Sequence, residues 1–295
     1  VKIPKMRSFI TINTIIMCLI QLSLETSIWT TFDNIIVFGD SYSDNGNVYA
    51  LTNKSNPKSP PNYKGRFSNG KVWIEYLTMK YHANLIDKAF GSATSDNDLV
   101  PGHFQWDNSN YSVPGIKQQI DFFINSHPNQ NYDKTLFAMG YFGNDYRLTN
   151  NGINPSVVVS SLIYSASQLV NYSNAKIILI PTIPLLPNST QNSTFTNHNK
   201  FLKILLDSFS AEHPDVEVLL YPFDEVLLKL ENSDDLLEKL NITNVFNGCN
   251  SYKDASNVCE NPENYMFWDE VHLTTKIHEY IANNVYNRLI GLIKW

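Results

Sequence analysis

The chain alternates short, continuously apolar segments with longer segments whose apolar residues recur every three or four positions. The short runs, rich in β-branched residues, are typical of buried strands, and the longer ones predict amphipathic helices. The predicted strands cover residues 35–38, 83–86, 135–139, 175–180 and 216–221. The predicted helices cover residues 72–81, 116–125, 155–172, 197–213 and 274–293, with one or two more between 223 and 240.

Strands and helices follow one another in alternation along the whole chain, and we find no internal repeat. This order predicts a parallel sheet that is covered by helices on both faces, which is an α/β fold. Residues 97–113, rich in Asn, Asp and Ser, interrupt the alternation and are predicted to be a loop. No segment has the composition of a linker, so we expect one domain.

The first residues differ from the rest of the chain. Lys2, Lys5 and Arg7 precede an apolar run over residues 9–24 that is interrupted by Thr, Asn, Gln and Ser. This arrangement is typical of a secretory signal peptide, and the run is shorter and more polar than a membrane-spanning helix requires. We therefore expect residues 1–29 to be a signal peptide and residues 30–295 to be the secreted domain, without a stable membrane anchor.

Charge and cysteine content fit an extracellular protein. The net charge of −6 at pH 7 argues against a nucleic-acid partner, and we expect a monomer. Cys18 lies in the predicted signal peptide, which leaves Cys249 and Cys259 to form a disulfide in an oxidising compartment. Candidate N-glycosylation sites are Asn53, Asn110, Asn171, Asn188, Asn192 and Asn241.

Ser41 follows the first predicted strand, inside a stretch of small, turn-forming residues at 39–47. Ligands of open parallel sheets bind beyond the carboxyl ends of the strands, so Ser41 is a candidate nucleophile. The alternative is that Ser41 caps the next helix, as serine often does. Residues 39–47 alone leave both interpretations open.

Three further polar segments decide between these interpretations. The 91–92 turn and Asn144 follow two more predicted strands, and parallel strands bring such loops to one edge of the sheet. Residues 269–272, with sequence Asp-Glu-Val-His, precede the last helix. Acyl transfer needs a nucleophile, a base, a group that orients the base and donors for the oxyanion, and these segments supply all four. Each alone could be a surface histidine or a simple turn.

These motifs resemble the GDSL esterase/lipase family, also called SGNH hydrolases. Residues 39–47 resemble its first block, residues 143–145 its Gly-x-Asn-Asp block, and residues 269–272 its terminal Asp-x-x-His block. Residues 65–70 and 267–269 are similar to the secreted plant and fungal branches, which include carbohydrate acetylesterases. The resemblance implies a three-layer α/β/α sandwich with a central parallel sheet, similar to flavodoxin, and neither cofactor nor metal.

The resemblance also implies a role for each motif residue. Ser41 would be the nucleophile, His272 the base, Asp269 the group that orients it, and Asn144 a side-chain donor to the oxyanion. A second block usually has two glycines, whereas here the pair is Gly91-Ser92. The oxyanion hole would therefore comprise Ser41, Gly91 or Ser92, and Asn144, with Ser92 disfavoured if its φ must be positive.

The substrate is left open by the motifs. The aromatic residues Tyr63, Phe67 and Trp106 lie in long polar loops and are candidate substrate-binding residues, either for sugar rings or for an acyl chain. No long apolar lid is evident, which favours a secreted ester hydrolase for short acyl groups, such as one that deacetylates carbohydrate. The alternatives are a lipase or phospholipase for longer acyl esters and a non-catalytic secreted binding glycoprotein.

Overall fold

The computed structural model describes residues 31–126, 132–187, 189–251 and 257–291. At its centre lies a five-stranded parallel sheet with strand order β2-β1-β5-β6-β7. Its strands are β1 Asn34–Gly39, β2 Asn84–Asp87, β5 Thr135–Gly140, β6 Ile177–Pro181 and β7 Glu217–Tyr221. The predicted parallel sheet is confirmed, and each predicted strand lies within one or two residues of the observed one.

Successive residues of each strand point to opposite faces of the sheet, and both faces are buried. On one face Ile35 and Val37 of β1 pack into an apolar cluster, and on the other Ile36 and Phe38 pack into a second one. This double burial explains why the strands are continuously apolar and do not alternate with polar residues.

Helices cover both faces of the sheet, so the predicted three-layer α/β/α sandwich is confirmed. The cluster that contains Ile35 is closed by α2 Trp73–Tyr81, α7 Phe223–Glu231 and α9 Thr275–Leu289. The cluster that contains Ile36 is closed by α3 Ile116–Ser126, α5 Pro155–Ser173 and α6 Asn192–Glu212. The remaining helices are α1 Asn47–Leu51, α4 Asn144–Leu148 and α8 Asp234–Leu240.

Two local predictions were wrong. Residues 97–113 contain an antiparallel hairpin of β3 His103–Trp106 and β4 Ser109–Ser112, joined by Asp107 and Asn108 in the left-handed region. A two-residue Asp-Asn turn of this kind is a hairpin signal that the polar composition obscured. Helix α6 begins five residues before its predicted start, because Phe195 is buried within an otherwise polar first turn.

The carboxyl-terminal part contains a second, small parallel sheet of β8 Asn244–Gly248 and β9 Tyr265–Phe267. The disulfide between Cys249 and Cys259 closes the segment that joins these two strands. Together they support residues 268–272, which lead into α9.

The segments relevant to secretion are only partly described. Residues 1–29, the predicted signal peptide, and Asn188 lie outside the described residues. Within the described ranges, none of the helices has the length and apolarity needed to traverse a membrane. Asn192 is half-buried, and its side-chain amide accepts from the Leu186 N–H and donates to the Leu186 carbonyl. These bonds make Asn192 a poor glycan acceptor. The exposed candidate acceptors are Asn53, Asn110, Asn171 and Asn241, and glycosylation there stays a prediction.

Candidate active site

Ser41 lies in a tight turn at the carboxyl end of β1. The backbone carbonyl of Asp40 accepts the amides of Ser43 and Asp44, which closes the turn around Ser41. The carboxylate of Asp40 accepts the amide of Tyr42 at 3.2 Å and that of Phe142 at 2.8 Å. The next helix begins at Asn47, six residues later, so Ser41 does not cap it.

Three side chains of the site form a chain of short contacts. Nε2 of His272 lies 2.8 Å from Oγ of Ser41, and Nδ1 of His272 lies 2.7 Å from Oδ2 of Asp269. All three residues are buried, and the aromatic ring of Phe67 lies 5.2 Å from the imidazole, centroid to centroid. The structure thus brings together the three residues that the sequence assigned to nucleophile, base and orienting acid.

The environment of Asp269 keeps its carboxylate charged. Burial alone would raise its pKa, but the interaction and hydrogen bond with the His272 imidazole, with the amides of Val271 and His272, lower it below its usual value. Those amides donate to Oδ1 at 2.9 and 2.8 Å. The carboxylate is therefore held in place by its own loop and oriented toward the imidazole.

The candidate oxyanion donors gather beside Ser41. The Gly91 amide donates to Oδ2 of Asp44 at 2.8 Å, so it is not available to bind the oxyanion. This corrects the prediction for Gly91, one of the two candidate backbone donors. Ser92 adopts the left-handed conformation with φ 67° and lines the cavity. Within the described part of the chain, no hydrogen bond engages the Ser92 amide. The structure therefore favours Ser92 for this role, although its φ is positive.

Asn144 is presented by the turn after β5. Gly143 precedes it with φ 96°, and a Cβ at Gly143 would lie 2.8 Å from the Phe195 ring, so this turn requires glycine. Nδ2 of Asn144 donates to the Ala93 carbonyl at 2.9 Å and lies 3.4 Å from Oδ2 of Asp40, and its Oδ1 accepts from Nη1 of Arg147 at 3.2 Å. These bonds fix the orientation of the amide with Nδ2 on the side of the Ser92–Ala93 turn.

Two buried carboxylates tie the loops of the site together. Asp44 accepts the amides of Gly46, Asn47, Val48 and Gly91, which joins the Ser41 turn to the 91–92 turn. Asp145 accepts the Ser95 amide and hydroxyl and the Tyr141 hydroxyl. Burial raises the pKa of both carboxyls, and these hydrogen bonds oppose the rise.

A cavity of about 410 Å³ opens over Ser41. It is lined by Ser41, Phe67, Ser92, Asn144, Arg147, Glu270, Val271 and His272. Sequence reasoning missed Arg147, Glu270 and Val271. The signal for Arg147 was its spacing from Asn144, since residues three apart on a helix share a face.

Two of the predicted substrate-binding residues lie elsewhere. Trp106 donates from its indole to Ser55 Oγ at 3.1 Å and lines a separate cavity at the β3–β4 hairpin. The Tyr63 ring lies under the cationic groups of Lys64 and Arg66, 5.2 and 5.7 Å from its centroid. Only Phe67 of the three predicted residues contributes to the wall of the cavity over Ser41.

The chain belongs to the family of GDSL-like lipases/acylhydrolases, whose model matches residues 35–285. The members similar to this chain include carboxylic ester hydrolases. This agrees with the resemblance that the sequence motifs indicated.

Individual relatives are distant. An acetylesterase of Hypocrea jecorina is 24% identical, over 98% of this chain and 98% of its own length. The thermolabile hemolysin of Vibrio parahaemolyticus is 23% identical over 86% of this chain, which spans 63% of the hemolysin. Among solved structures, the acetylxylan esterase Axe2 of Geobacillus stearothermophilus is similar with a TM-score of 0.49 and 12% identity, covering 90% of this chain and 96% of Axe2.

Proposed function

We propose that this protein is a secreted serine ester hydrolase that acts on short-acyl esters, with acetyl esters of carbohydrate as its substrates. The observation that carries the proposal is the contact of 2.8 Å between Ser41 Oγ and His272 Nε2, continued by that of 2.7 Å from His272 Nδ1 to Asp269. A serine hydroxyl, an imidazole and a carboxylate in this order form the arrangement that activates serine for acyl transfer.

The reaction proceeds in two steps. Ser41 Oγ attacks the ester carbonyl carbon while Nε2 of His272 takes the hydroxyl proton, and Asp269 holds the imidazole by accepting from Nδ1–H. The amides of Ser41 and Ser92 stabilise the oxyanion, together with the Nδ2 hydrogen of Asn144 that the Ala93 carbonyl does not accept. His272 then gives its proton to the departing alcohol, and a water molecule releases the acid from the acyl-enzyme by the reverse sequence.

The cavity supports a short acyl group. Six of its eight lining residues carry polar or charged side chains, and Phe67 and Val271 are the apolar ones. A long acyl chain gains its binding energy from continuous apolar surface, at about 25 cal/mol per Å² buried. The apolar part of this lining exceeds its polar part, but its total area is small, which suits an acetyl group better than a long acyl chain. The polar side chains of the lining can face a hydroxylated alcohol.

The test is a series of 4-nitrophenyl esters from acetate to palmitate, measured beside acetylated xylo-oligosaccharides. We expect kcat/KM to be highest for acetate or propionate and acetate to be released from the oligosaccharides. A maximum of kcat/KM at acyl chains of eight or more carbons would instead support the lipase alternative. If no ester is hydrolysed and a fluorophosphonate fails to label Ser41, the hydrolase proposal fails and the binding glycoprotein is the remaining alternative. Secretion is tested by N-terminal sequencing of the exported protein, with a start near residue 30 expected.

A further inference from the structure

Arg147 lies on the wall of the cavity, three residues after Asn144 on helix α4. Its side chain is half-buried, and one of its donors, Nη1, bonds Oδ1 of Asn144 at 3.2 Å. Among the described residues, no carboxylate lies within 4.0 Å of its guanidinium. Arginine has five N–H donors, so most of them are left for another acceptor.

Two other cations of the chain, Arg66 and Lys117, pair with nearby acids. Arg66 makes two bonds with the carboxylate of Glu75, the shorter at 2.6 Å, and Lys117 lies 2.7 Å from Asp98. Glu270 lines the same cavity as Arg147 and accepts the Ser251 hydroxyl at 2.9 Å, and its carboxylate lies more than 4.0 Å from the guanidinium. Arg147 thus differs from these cations in that its charge faces a cavity.

The charge of Arg147 also reaches the residues around the nucleophile. Burial raises the pKa of Asp40 to about 6, and the positive charge of Arg147 is among the influences that oppose this rise. Tyr42, on the other side of Ser41, has its pKa raised by burial and lowered by the same charge. The positive charge of Arg147 therefore acts close to Ser41, where the carboxylates of Asp40 and Asp269 oppose it.

We propose that Arg147 is a specificity-determining residue that binds an anionic group of the substrate, so that the preferred esters carry a carboxylate or a phosphate. The planar guanidinium matches both groups, because two parallel N–H bonds can reach two of their oxygens. The inference rests on the proposed ester hydrolase function and names the substrate class of that site.

Arg147 also orients the amide of Asn144, and the experiment must separate this role from anion binding. A loss of Asn144 orientation lowers the rate for every ester by the same factor, since the oxyanion is common to all of them. The ratio of kcat/KM between an anionic ester and its neutral counterpart cancels that factor. A change in this ratio therefore reports contact with the anionic group alone.

Two ester pairs distinguish the source of the charge. The carboxylate pair is an acetylated methyl glucuronide and the matching acetylated methyl glucoside. The phosphate pair is 1-acetylglycerol 3-phosphate and 1-acetylglycerol. We expect wild type to prefer the anionic member of one pair, and Arg147→Gln to reduce that preference at least roughly tenfold, as for a lost charge-assisted hydrogen bond. Arg147→Lys should retain part of the preference.

Arg288→Gln is the matched control. Arg288 also donates to an asparagine one turn earlier, from Nε to Oδ1 of Asn284 at 3.1 Å, but it lines a different cavity. Its replacement should leave the ratio unchanged. An equal loss for both members of each pair in Arg147→Gln overturns the inference, as does a wild-type enzyme that prefers both neutral esters.

A different result is expected if the protein is not an ester hydrolase. If wild type hydrolyses neither these four esters nor 4-nitrophenyl acetate, the hydrolase proposal fails, and the binding of glucuronate and glycerol 3-phosphate, measured by calorimetry, then tests the inference. Hydrolysis of 4-nitrophenyl acetate without hydrolysis of any of the four esters overturns the inference alone. Binding that Arg147→Gln weakens at least roughly tenfold supports the anion site. Equal binding to wild type and variant overturns it.

Discussion

The candidate site is built from two regions that are held in different ways. Ser41, Ser92 and Asn144 each follow a strand of the main sheet, after β1, β2 and β5. Asp269 and His272 lie outside that sheet, between the short strand β9 and helix α9. We refer to these as the sheet region and the carboxyl-terminal region.

Each region is braced mainly by its own contacts. In the sheet region, buried carboxylates such as Asp44 and Asp145 connect one loop to the next. In the carboxyl-terminal region, backbone bonds run from Cys249 to Phe267 and from Asn250 to Trp268, beside the disulfide. The nucleophile and the base are thus positioned by separate sets of interactions.

Several hydrogen bonds join the two regions, including two to the residues on either side of His272. The Tyr42 hydroxyl donates to the Val271 carbonyl, and the Ser68 hydroxyl donates to the Leu273 carbonyl at 2.9 Å. Ser41 Oγ and His272 Nε2 meet beside them. The alignment of nucleophile and base therefore depends on how the two regions dock, while each region keeps its own internal geometry. Variants in one region should therefore leave the other intact.

The largest effect is expected from Ser41→Ala. It removes the nucleophile from the sheet region and should lower kcat by at least about four orders of magnitude. Thermal unfolding should change little, because the variant loses one hydroxyl and keeps the turn. The exposed Ser112→Ala on the hairpin serves as the control and should be fully active. More than a percent of residual activity in Ser41→Ala would show that another group is the nucleophile.

In the carboxyl-terminal region, His272→Ala and Asp269→Asn should differ in severity. His272→Ala removes the base, whereas Asp269→Asn leaves an imidazole that is oriented less well, so its loss should be large, up to about 10⁴, but smaller. Steady-state kinetics on both variants measure the order. Equal losses would mean that Asp269 does more than orient the base, and an active Asn variant would mean that another group orients it.

The pH dependence of stability should report on Asp40 in the sheet region. Because burial raises the pKa of Asp40 from 3.8 to about 6, the folded state binds its proton more tightly than the unfolded state does. The free energy of unfolding should therefore decrease as the pH rises from 4 to 6, and Asp40 should contribute on the order of 3 kcal/mol to this decrease.

Urea denaturation at several pH values tests this expectation. Asp40→Asn should flatten the decline, whereas Asp107→Asn, at the exposed tip of the hairpin, should not change it. A decline of the same slope in Asp40→Asn would assign it entirely to other buried carboxyls, such as Asp44 and Asp145, whose pKa values are also raised.

Removing the disulfide tests how the carboxyl-terminal region is braced. Cys249 and Cys259 are separated by 10 positions, and opening a loop of this size should cost about 2–3 kcal/mol of stability. The double Cys→Ser variant, compared with wild type by urea denaturation, measures the loss. Labelling of Ser41 by a fluorophosphonate should still occur under folding conditions. Wild-type stability in the variant would show that the strands alone support this region.

The smallest effect is expected from Ser92→Gly. The left-handed conformation of Ser92 is unfavourable for a residue with a Cβ, so glycine should stabilise the fold by up to about 1 kcal/mol. Activity should stay within about threefold of wild type, because the backbone N–H that would bind the oxyanion is retained. A loss of tenfold or more would assign the contribution to the Ser92 hydroxyl instead.

Local patterns along the chain were sufficient for the sheet and for the motifs of the site. The runs at 35–38 and 135–139 predicted strands correctly, since a strand that is buried on both faces needs an apolar residue at every position. The order of Ser41, Asn144 and the 269–272 segment identified the family that the comparisons confirm. Their assigned roles stay predictions, which the geometry supports.

Only the tertiary structure decided which atoms face the cavity. Gly91 and Ser92 are neighbours, yet the Gly91 amide is occupied by Asp44, a residue 47 positions earlier. Trp106 and Phe67 are both aromatic residues that were predicted to lie in loops, and only Phe67 lies over His272. Arg147 lines the cavity, although it belongs to none of the sequence motifs of the site. The physical reason is that periodicity records which side of an element is buried, whereas the partner of a loop residue depends on contacts between segments far apart in the chain.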